Sequence, residues 1–554
     1  MAGRASTLRN VVLPAGIVLI TAAVYSNTLG FGFVYDDWAR IASWHDGAYY
    51  RPVFQLWLRI NLMLFKANPW GWHVSSVLVH LAATFLVYRL AWRIAADRMA
   101  AALTAALFGL HPAHIEAIDW PSAITDPLAT VFFVSAFLCY LKAKDTRSFR
   151  WRAAALLFYA LGVFENEVCI LLPALLFSYE WIFGAKSPGL SWRFAENLGA
   201  CFPFLGVAAV YFAVRLQVMH GWSAAISPAP FSDVVMTWPS MLVFYAKHLV
   251  WPFPLTLFYV VPAVTRFTML EFWIPLEIVL AAAAVIWFGA RELKAVVFGG
   301  IWVLLTLMPV LDFRVFAHNE NVHDRYLYLP SIGFCLIAAV TLHEILTAFD
   351  ARRPTAARAA IVSLLLGLMA FGTIRQSGQW SDNYSLFRRA LDVSPNNEIA
   401  NQGMGAELFL RRSYIQSAQY YRRALDLQPS LPDATYGVAR CYLELDLISE
   451  SEPYFARAIQ LRPEDPKTYL YFGIARTKQN RLQDAEALIR DAIRRKGPDD
   501  FSNYHASLAE VLKRKGDLQG ALSEYRAELR ENPSSQIADR EIAMLEAQLK
   551  FANK

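Results

Sequence analysis

Residues 359–395 read AAIVSLLLGLMAFGTIRQSGQWSDNYSLFRRALDVSP, and the chain changes character inside this stretch. Up to about Thr373 the sequence is a series of apolar runs, and beyond it Arg, Glu, Asp and Gln occur throughout. Charged residues make up 18% of the whole chain, whereas a soluble globular protein has roughly a quarter. The sequence therefore predicts two units in different solvents, a membrane domain over 1–376 and a water-exposed domain over 377–554.

The membrane domain is predicted from the length of its apolar runs. A helix needs about 20 mostly apolar residues to cross a hydrocarbon core about 30 Å thick. One further segment, 236–259, is apolar but contains three prolines, and it is interpreted as a re-entrant or interfacial element. The sequence then predicts eleven spans, which begin near residues 11, 74, 99, 127, 151, 167, 197, 272, 295, 326 and 357.

Basic residues predict the orientation of these spans, because Lys and Arg in short loops stay on the cytoplasmic side. With the N-terminus inside, one predicted inner loop contains Lys142, Lys144, Arg147, Arg150 and Arg152. An odd number of spans then puts the C-terminal domain outside, in the periplasm or a lumen. The lack of obvious eukaryotic targeting features and the compact length favour a bacterial inner membrane.

The overall charge and the cysteines exclude some classes of function. The formal net charge is only +6, and no dense Lys/Arg run is present, which argues against a nucleic-acid partner. The five cysteines are scattered without the spacing of a disulfide framework or a zinc site, so they are interpreted as packing residues.

A repeat occupies the C-terminal domain. Pro395, Pro429 and Pro463 recur every 34 residues, and Pro498 and Pro533 follow at intervals of 35. Small residues needed where two helices pack closely recur in register, at Gly405, Ala439, Gly473 and, after a slip of two residues, Ala509. This period is typical of the tetratricopeptide repeat (TPR), a helical hairpin that stacks into a solenoid with a concave groove. The chain is thus predicted to be all-α, with a TPR groove for a peptide; a purely structural array is the alternative.

Ionisable residues are costly at membrane depth and tend to mark function where they cluster. The first cluster is Asp36–Asp37 after the first span, where the like-charged neighbour is expected to raise the pKa of one carboxyl toward the range of a general base. Solvated loop acids and satisfied helix ends are the structural alternatives. Three further clusters lie at predicted outer ends of spans: His111, His114, Glu116 and Asp126; Glu165, Asn166 and Glu167; and His323, Asp324 and Arg325, with Arg215, Lys247 and His248 nearby.

All four clusters fall on the predicted outer side, beside a proline-broken apolar segment. An arginine at the membrane face suits a phosphate or pyrophosphate, although pairing with Asp324 is the alternative for Arg325. This combination favours an enzyme whose donor is linked to a lipid and whose acceptor arrives from water.

The chain resembles the TMTC-type (transmembrane and TPR-containing) protein O-mannosyltransferases and their bacterial relatives in the GT-C glycosyltransferase superfamily. The resemblance covers nearly the whole chain and depends on the order of its motifs. They are Val34-Tyr35-Asp36-Asp37, Tyr50-Arg51-Pro52, His73 with His80, His-Pro-Ala-His-Ile-Glu over 111–116 with Asp126, Asn166-Glu167 before Leu172-Pro173, Pro-Phe-Pro-Leu over 252–255 with Tyr259, and Asp-Arg-Tyr-Leu-Tyr-Leu-Pro-Ser-Ile-Gly over 324–333.

The resemblance implies inverting transfer of a sugar, mannose or another hexose, from a polyprenyl-phosphate donor to Ser/Thr hydroxyls of proteins at the outer face. Asp36 would be the general base, and Asp37 would orient it or the acceptor. Arg325, Arg51 and Lys247 would bind the donor phosphate. The resemblance assigns the remaining cluster residues to the cavity and the acceptor: His111, His114, Glu116, Asp126, Glu167, His323 and Asp324.

Two departures from the family pattern each remove a cation near this site. Asn166 stands where a Lys is expected, and Ala123-Ile124-Thr125 stands before Asp126 where relatives often have Gly-Arg-Ala. The departures leave the phosphate contacts less well defined than the base, and they are compatible with a different donor sugar. No metal is expected to be required, and a divalent ion at Asp36 and Asp37 is the alternative.

Two other functions remain open from the sequence. The first is an enzyme of the same fold that glycosylates a lipid or a cell-surface polysaccharide, with TPR repeats that bind assembly partners. The second is a non-catalytic scaffold or transporter, although the membrane part lacks the internal repeat that many transporters show.

Overall fold

The protein is described by a computed structural model that covers residues 2–42, 50–184, 190–219, 229–289, 292–316, 321–348, 355–497, 500 and 503–552. Within these ranges every regular element is helical, which confirms the all-α prediction. The chain divides into two compact units, Met1–Ser394 and Pro395–Lys554. The acidic loop after the first helix and the three other polar clusters all belong to the first unit.

The first unit is a bundle of long apolar helices joined by short turns. Its α-helices are α1 Ala2–Val24, α2 Asp37–Ala42, α3 Pro52–Phe65, α4 Pro69–Ala95, α5 Arg98–Gly109, α6 Ile115–Asp119, α7 Thr125–Thr146, α8 Phe149–Val163, α9 Leu172–Phe183, α10 Leu190–Val218, α11 Phe231–Val250, α12 Leu270–Ala284, α13 Lys294–Leu307, α14 Pro330–Ala348, α15 Thr355–Ser377 and α16 Asn383–Val393.

A helix forms in each of the eleven predicted apolar runs, but the predicted count of eleven spans is not confirmed. The runs that begin near residues 99, 151 and 167 form α5, α8 and α9, which have 12, 15 and 12 residues. At about 1.5 Å per residue they rise only about 18–23 Å, less than the hydrocarbon core. Eight helical stretches in the described residues are long and apolar enough to cross a membrane: Val12–Gly30, Pro69–Ala95, Pro121–Thr146, Phe194–Val218, Leu270–Phe288, Lys294–Leu311, Pro330–Ala348 and Ala356–Trp380.

The proline-containing segment 236–259 has a helical half and a non-helical half. Helix α11 continues through Pro239 and ends at Val250. Trp251 then adopts φ −134° and ψ 81°, outside the α region that is disfavoured for a residue before proline. The following loop is nonetheless buried, with Leu255, Leu257 and Phe258 at most 1% exposed. This loop brings Tyr259 to the candidate site.

The second unit is a series of helical hairpins. Its helices are α17 Glu398–Leu410, α18 Tyr414–Leu427, α19 Pro432–Glu444, α20 Ile448–Leu461, α21 Pro466–Lys478, α22 Leu482–Arg495, α23 Tyr504–Arg514, α24 Leu518–Glu531 and α25 Gln536–Ala552.

The backbone of the second unit repeats with the period of the sequence. Arg412, Asp446 and Asn480 each end a turn between paired helices with φ of +59°, at intervals of 34 residues. The small residues explain the close approach of the paired helices, because a Cβ on Gly473 would lie 2.5 Å from Cγ1 of Ile489. The predicted solenoid of TPR hairpins is confirmed. Pro498, one of the recurring prolines, lies outside the described residues.

Candidate active site

The acidic loop lies between the end of the first span and α2, and it holds its two aspartates in different environments. Asp37 is 1% exposed. Its carboxylate accepts hydrogen bonds from the amide of Val34 at 2.9 Å and from the amide and hydroxyl of Ser122 at 3.0 and 2.6 Å. Burial raises the pKa of Asp37 to about 7; these hydrogen bonds oppose the rise, and the charge of Asp36 adds a smaller increase. The raised pKa that the sequence predicts for one member of the pair is therefore present, but burial is its main cause.

Asp36 is the accessible member of the pair. Its carboxylate is 26% exposed, and one oxygen, Oδ2, accepts a hydrogen bond from Nε of Arg40 at 2.8 Å. The other oxygen, Oδ1, is itself buried and has no hydrogen-bond partner among the described residues. The preceding residue, Tyr35, has a φ of +53°, a conformation uncommon for a residue with a bulky side chain and often found at functional sites. The geometry leaves Asp36 with a free lone pair beside a strained turn.

Arg325 is fixed by a buried carboxylate. Glu116 is 1% exposed and pairs with the guanidinium group of Arg325. The same carboxylate accepts from the backbone amides of Asp324 at 2.9 Å and Arg325 at 3.3 Å, and it lies 3.1 Å from Nδ1 of His323. Burial would raise the pKa of Glu116, but Arg325 and His323 together lower it below its usual value. Glu116 is thus an ionised anchor for the whole His323–Asp324–Arg325 turn.

Aromatic side chains connect this turn to the acidic loop. The guanidinium group of Arg325 lies 5.1 Å from the ring centroid of Trp120 and 4.9 Å from that of Tyr326. The ring of Trp120 is in turn 5.6 Å from that of Tyr35, next to Asp36. The base candidate and the first cation candidate therefore border the same region of the first unit.

A second group of charges contains Arg51. Glu167 contacts two guanidinium groups, with Nη1 of Arg215 at 2.5 Å and Nη2 of Arg51 at 3.5 Å. Burial would lower the pKa of Arg51, but Glu167, Glu165 and Asp126 more than offset it and the pKa is raised.

Asp126 joins the two groups of charges. Its carboxylate also contributes to the raised pKa of Arg325, where burial acts in the opposite sense. One of its oxygens accepts a hydrogen bond from the side chain of Asn166 at 3.2 Å. Asp126 therefore acts electrostatically on both of the arginines that the sequence assigns to the donor phosphate.

The remaining sequence candidates lie in other environments. His111 and His114 are fully buried, with Nε2 atoms 3.0 Å from the carbonyl oxygen of Leu249 and 2.8 Å from the hydroxyl of Ser331. Burial lowers the pKa of both rings, to about 4 for His111. Lys247 is exposed on α11, and no described hydrogen bond or ion pair involves its side chain. The cavity role of the histidines and the phosphate role of Lys247 stay predictions.

Asp324 is buried, and its side chain bonds to Tyr259. Its Oδ2 accepts a hydrogen bond from the hydroxyl of Tyr259 at 2.5 Å, while Oδ1 has no partner among the described residues. Burial and the nearby charge of Glu116 raise its pKa well above the usual value. Asp324 therefore ties the proline-containing loop to the Arg325 turn.

Three residues of this region escape sequence reasoning. Arg40 pairs with Asp36 four positions earlier, a spacing that a helical interpretation of 37–42 would have revealed. Ser122 gives no signal of its own, because its contact with Asp37 is long-range. Asp119 is fully buried between the hydroxyls of Thr28 and Ser377, and it stands in an apolar stretch without any motif.

Among the described residues, no three His, Cys, Asp or Glu side chains are grouped in a way that could hold a metal ion.

Comparisons with known proteins add family information to this geometry. The tetratricopeptide-repeat family matches residues 406–466 and 472–536. Among solved structures, the TPR protein TTC0263 of Thermus thermophilus is 17% identical, with coverage of 33% of this chain and 96% of that one and a TM-score of 0.27. MamA of Desulfovibrio magneticus RS-1 is also 17% identical, with coverage of 31% and 94% and a TM-score of 0.26.

Curated relatives cover most of the chain. The protein O-mannosyl-transferase F38B6.6 of Caenorhabditis elegans is 23% identical over 73% of this chain and 61% of its own length. The protein O-mannosyl-transferase TMTC3 of Mus musculus is 24% identical over 73% and 50%, and its Homo sapiens counterpart is 23% identical over 74% and 51%. The chain spans between half and three fifths of the length of these relatives. The resemblance found in the sequence is confirmed: the curated relatives of this chain are TMTC-type protein O-mannosyltransferases, and its C-terminal unit consists of tetratricopeptide repeats.

Proposed function

We propose that this protein is a membrane glycosyltransferase that moves a sugar, mannose or another hexose, from a polyprenyl-phosphate carrier to Ser/Thr hydroxyls of proteins. The names of the curated relatives support the O-mannosyltransferase class. The single observation that carries the chemistry is the unpartnered oxygen Oδ1 of the Asp36 carboxylate, which is buried in the same region of the first unit as the anchored guanidinium group of Arg325.

Asp36 is the general base of the proposed reaction. Its Oδ1 accepts the proton of the acceptor hydroxyl while the hydroxyl oxygen bonds to the anomeric carbon of the sugar. The bond from that carbon to the phosphate oxygen breaks on the opposite face, so the configuration inverts and polyprenyl phosphate leaves. Arg40, bound to Oδ2, orients the carboxylate before the acceptor arrives.

Asp37 positions the base and does not share its role. The carboxyl of Asp37 is buried and held by Ser122 and Val34, so no acceptor hydroxyl reaches it without displacing these partners. Its pKa of about 7 keeps much of it neutral at physiological pH. A neutral Asp37 avoids a second negative charge beside the base and fixes the turn through its hydrogen bonds.

Arg325 stabilises the leaving phosphate. Negative charge gathers on the phosphate oxygens in the transition state, and preoriented cations there lower the barrier. Glu116 fixes Arg325 through the backbone and the side chain, which supplies this preorganisation. Arg51 is the second cation of the proposal; Nη2 of its guanidinium group lies 3.5 Å from Glu167, which Arg215 also contacts.

The repeat unit supplies acceptor recognition in this proposal, because TPR grooves bind extended peptides. The active site and the repeats then share the extracytoplasmic side, which is the periplasm if the host is bacterial. The lipid-linked sugar is a substrate, and the proposed mechanism needs no metal.

Replacement of the aspartates tests this proposal. Asp36→Asn removes the proton acceptor, and transfer of labelled sugar from polyprenyl phosphate to a Ser/Thr peptide is expected to fall by about 10²–10⁴-fold. Asp37→Asn keeps only one of the two oxygens that accept hydrogen bonds from Val34 and Ser122, and because Asp37 does not take the proton, transfer is expected to fall by about tenfold or less. Asp145→Asn is the matched control, because Asp145 pairs with Arg93 in the loop predicted to lie inside. Wild-type rates in both Asp36→Asn and Asp37→Asn would end the assignment.

A further inference from the structure

The turn before Asp36 is held in an unfavourable backbone conformation. Tyr35 has a φ of +53°, and its Cβ crowds the backbone in this left-handed region. The turn decides where the Asp36 carboxylate points, because Asp36 is the next residue and its carbonyl oxygen accepts the first hydrogen bond of α2, from the amide of Arg40 at 2.9 Å. Some other part of the protein must therefore stabilise this conformation.

Helix α16 provides that support. The backbone amide of Tyr35 donates to the side-chain oxygen Oδ1 of Asn383 at 2.7 Å, across 348 positions of sequence. The amide of Gly32 donates to the carbonyl oxygen of Ser381 at 3.1 Å, just before the helix begins. The ring of Tyr35 also lies 6.4 Å from that of Phe387, one turn further along α16. The acidic loop is thus docked along the first turns of one helix.

The same helix holds the other side of the candidate site. Nε of Arg389 donates a hydrogen bond to the carbonyl oxygen of Leu255 at 3.0 Å. The hydroxyl of Ser394, the residue directly after α16, donates to the carbonyl oxygen of Phe258 at 3.0 Å. Both acceptors belong to the loop whose Tyr259 binds Asp324, next to Arg325. Helix α16 therefore fixes the loop that carries the base and the loop that leads to the phosphate cation.

We propose that Asn383 is a positioning residue of the glycosyl-transfer site, which sets the direction of Asp36 through the backbone of Tyr35. This inference rests on the proposed function, since it assigns Asn383 to the reaction in which Asp36 is the base. Asn383 touches neither substrate nor reacting atoms, and its effect passes entirely through one amide.

The hydrogen bond can be removed without removing the helix. Asn383→Leu keeps a side chain of similar size but has no oxygen to accept from Tyr35. Asn383→Asp restores an acceptor oxygen at the same place, and an acidic residue is favourable in the first turn of a helix. Ser385→Ala is the matched control: it deletes a hydroxyl that binds Asp382 on the same turn of α16 without any contact to the acidic loop.

We expect Asn383→Leu to lower kcat and to leave substrate binding and stability unchanged. A small misplacement of a reacting group lowers the rate by up to about 100-fold, so Asn383→Leu is expected to reduce kcat by about 10–100-fold. The KM for the lipid-linked donor and the thermal midpoint in detergent should stay close to those of the wild type. Asn383→Asp should recover kcat to within about threefold, and Ser385→Ala should match the wild type.

A second measurement does not depend on activity. Hydrogen exchange of peptides that cover 31–40 reports the Tyr35 amide directly, which should exchange faster in Asn383→Leu and at the wild-type rate in Ser385→Ala. Unchanged exchange and a kcat within twofold of the wild type in Asn383→Leu would overturn the inference, and so would an equal loss in Ser385→Ala. If the wild type transfers no sugar at all, the proposed function fails, while the exchange result still decides whether Asn383 holds the turn.

Discussion

Near the candidate site, three of the buried carboxyl groups, Asp37, Asp119 and Glu165, have no basic partner in direct contact within the described residues. Burial raises the pKa of Asp37 and Asp119 to about 7, and that of Glu165 to about 8. Hydrogen bonds from Ser122 oppose the shift at Asp37, those from Ser377 and Thr28 do so at Asp119, and the charge of Arg51 does so at Glu165. At the residue scale, therefore, the site combines acids that pair with arginines, such as Glu116 and Glu167, with buried acids that do not.

Asp119 makes stability depend on pH in a direction that can be measured. Its pKa is higher in the folded protein than in the unfolded chain, so the folded state binds the extra proton between about pH 4 and 7. Stability is greatest below this window and falls as pH rises through it. Asp119→Asn removes the ionisation, so its thermal midpoint in detergent should fall less between pH 5 and 8 than that of the wild type. Parallel curves for the two proteins would contradict the prediction.

Arg325 and Lys247 can be separated by one pair of variants. Arg325 is anchored by Glu116 beside Trp120, whereas Lys247 is exposed and lies outside the described network of ion pairs. Arg325→Met is expected to lower sugar transfer by about 10²–10³-fold, as loss of a preoriented charge does in other enzymes. Lys247→Met, which removes the same charge, should cost less than about threefold. The reverse order would assign the phosphate to Lys247.

Much of the residue chemistry could be predicted from the sequence, and its pairing could not. The sequence alone identifies the residue types of the site: the paired carboxylates Asp36 and Asp37, the cation Arg325, and Glu116 in a polar segment after a helix. The carboxylate of Glu116 accepts hydrogen bonds from the 323–325 turn, and these partners lie more than 200 positions away in the sequence. A pairing over that distance leaves no pattern in the sequence. Asn383 gives no signal at all, because a hydrogen bond to one distant amide has no sequence pattern.

At the scale of elements, hydropathy predicts where helices form better than how long they are. All eleven apolar runs became helices, yet α5 ends at Gly109, before the polar segment His111–Pro112. Pro112 cannot continue a helix, since it lacks an amide donor and restricts the residue before it. The sequence stays largely apolar beyond such a break. Hydropathy averaged over about 20 residues therefore predicts a membrane span where the backbone forms a short helix followed by a turn.

The repeats permit a prediction about helix packing. Gly473→Val would place Cβ 2.5 Å from Cγ1 of Ile489 and 3.2 Å from the carbonyl oxygen of Ala485. The crowding should destabilise the α21–α22 hairpin by about 1–3 kcal/mol. Gly497→Val is the control, because no atom lies within 4 Å of its Cβ position. Hydrogen exchange of peptides from α21 and α22 should be faster only in the Gly473 variant; equal protection in both would show that the hairpin absorbs the side chain.

At the scale of the whole molecule, the proposal requires the acidic loop and the repeats to face one compartment. The described cysteines, Cys139, Cys169, Cys201, Cys335 and Cys441, are all buried. An impermeant thiol reagent should therefore give little background. Labelling of single introduced cysteines can then show which side of the membrane each unit faces.

Trp38→Cys and Ile537→Cys place thiols at exposed positions of the acidic loop and the repeat unit. Both are expected to react with an impermeant maleimide added from the outside of intact cells. Phe149→Cys, exposed in the loop predicted to lie inside, should react only after the membrane is opened. Labelling of only one of the first two would place them on opposite sides and dismantle the proposed arrangement.

Helix α16 has a practical consequence for separating catalysis from acceptor selection. A chain shortened at 376 loses Asn383, Arg389 and Ser394 together with the repeats. We expect it to transfer no sugar, whether its natural acceptor is a protein or a lipid. A chain shortened after Ser394 retains all three contacts and deletes only the solenoid. If the natural acceptor is a lipid, this second truncated chain should still transfer sugar to it. If the natural acceptor is a protein, transfer to peptides should be lost. The first truncation cannot distinguish these two enzymes, because it abolishes both activities.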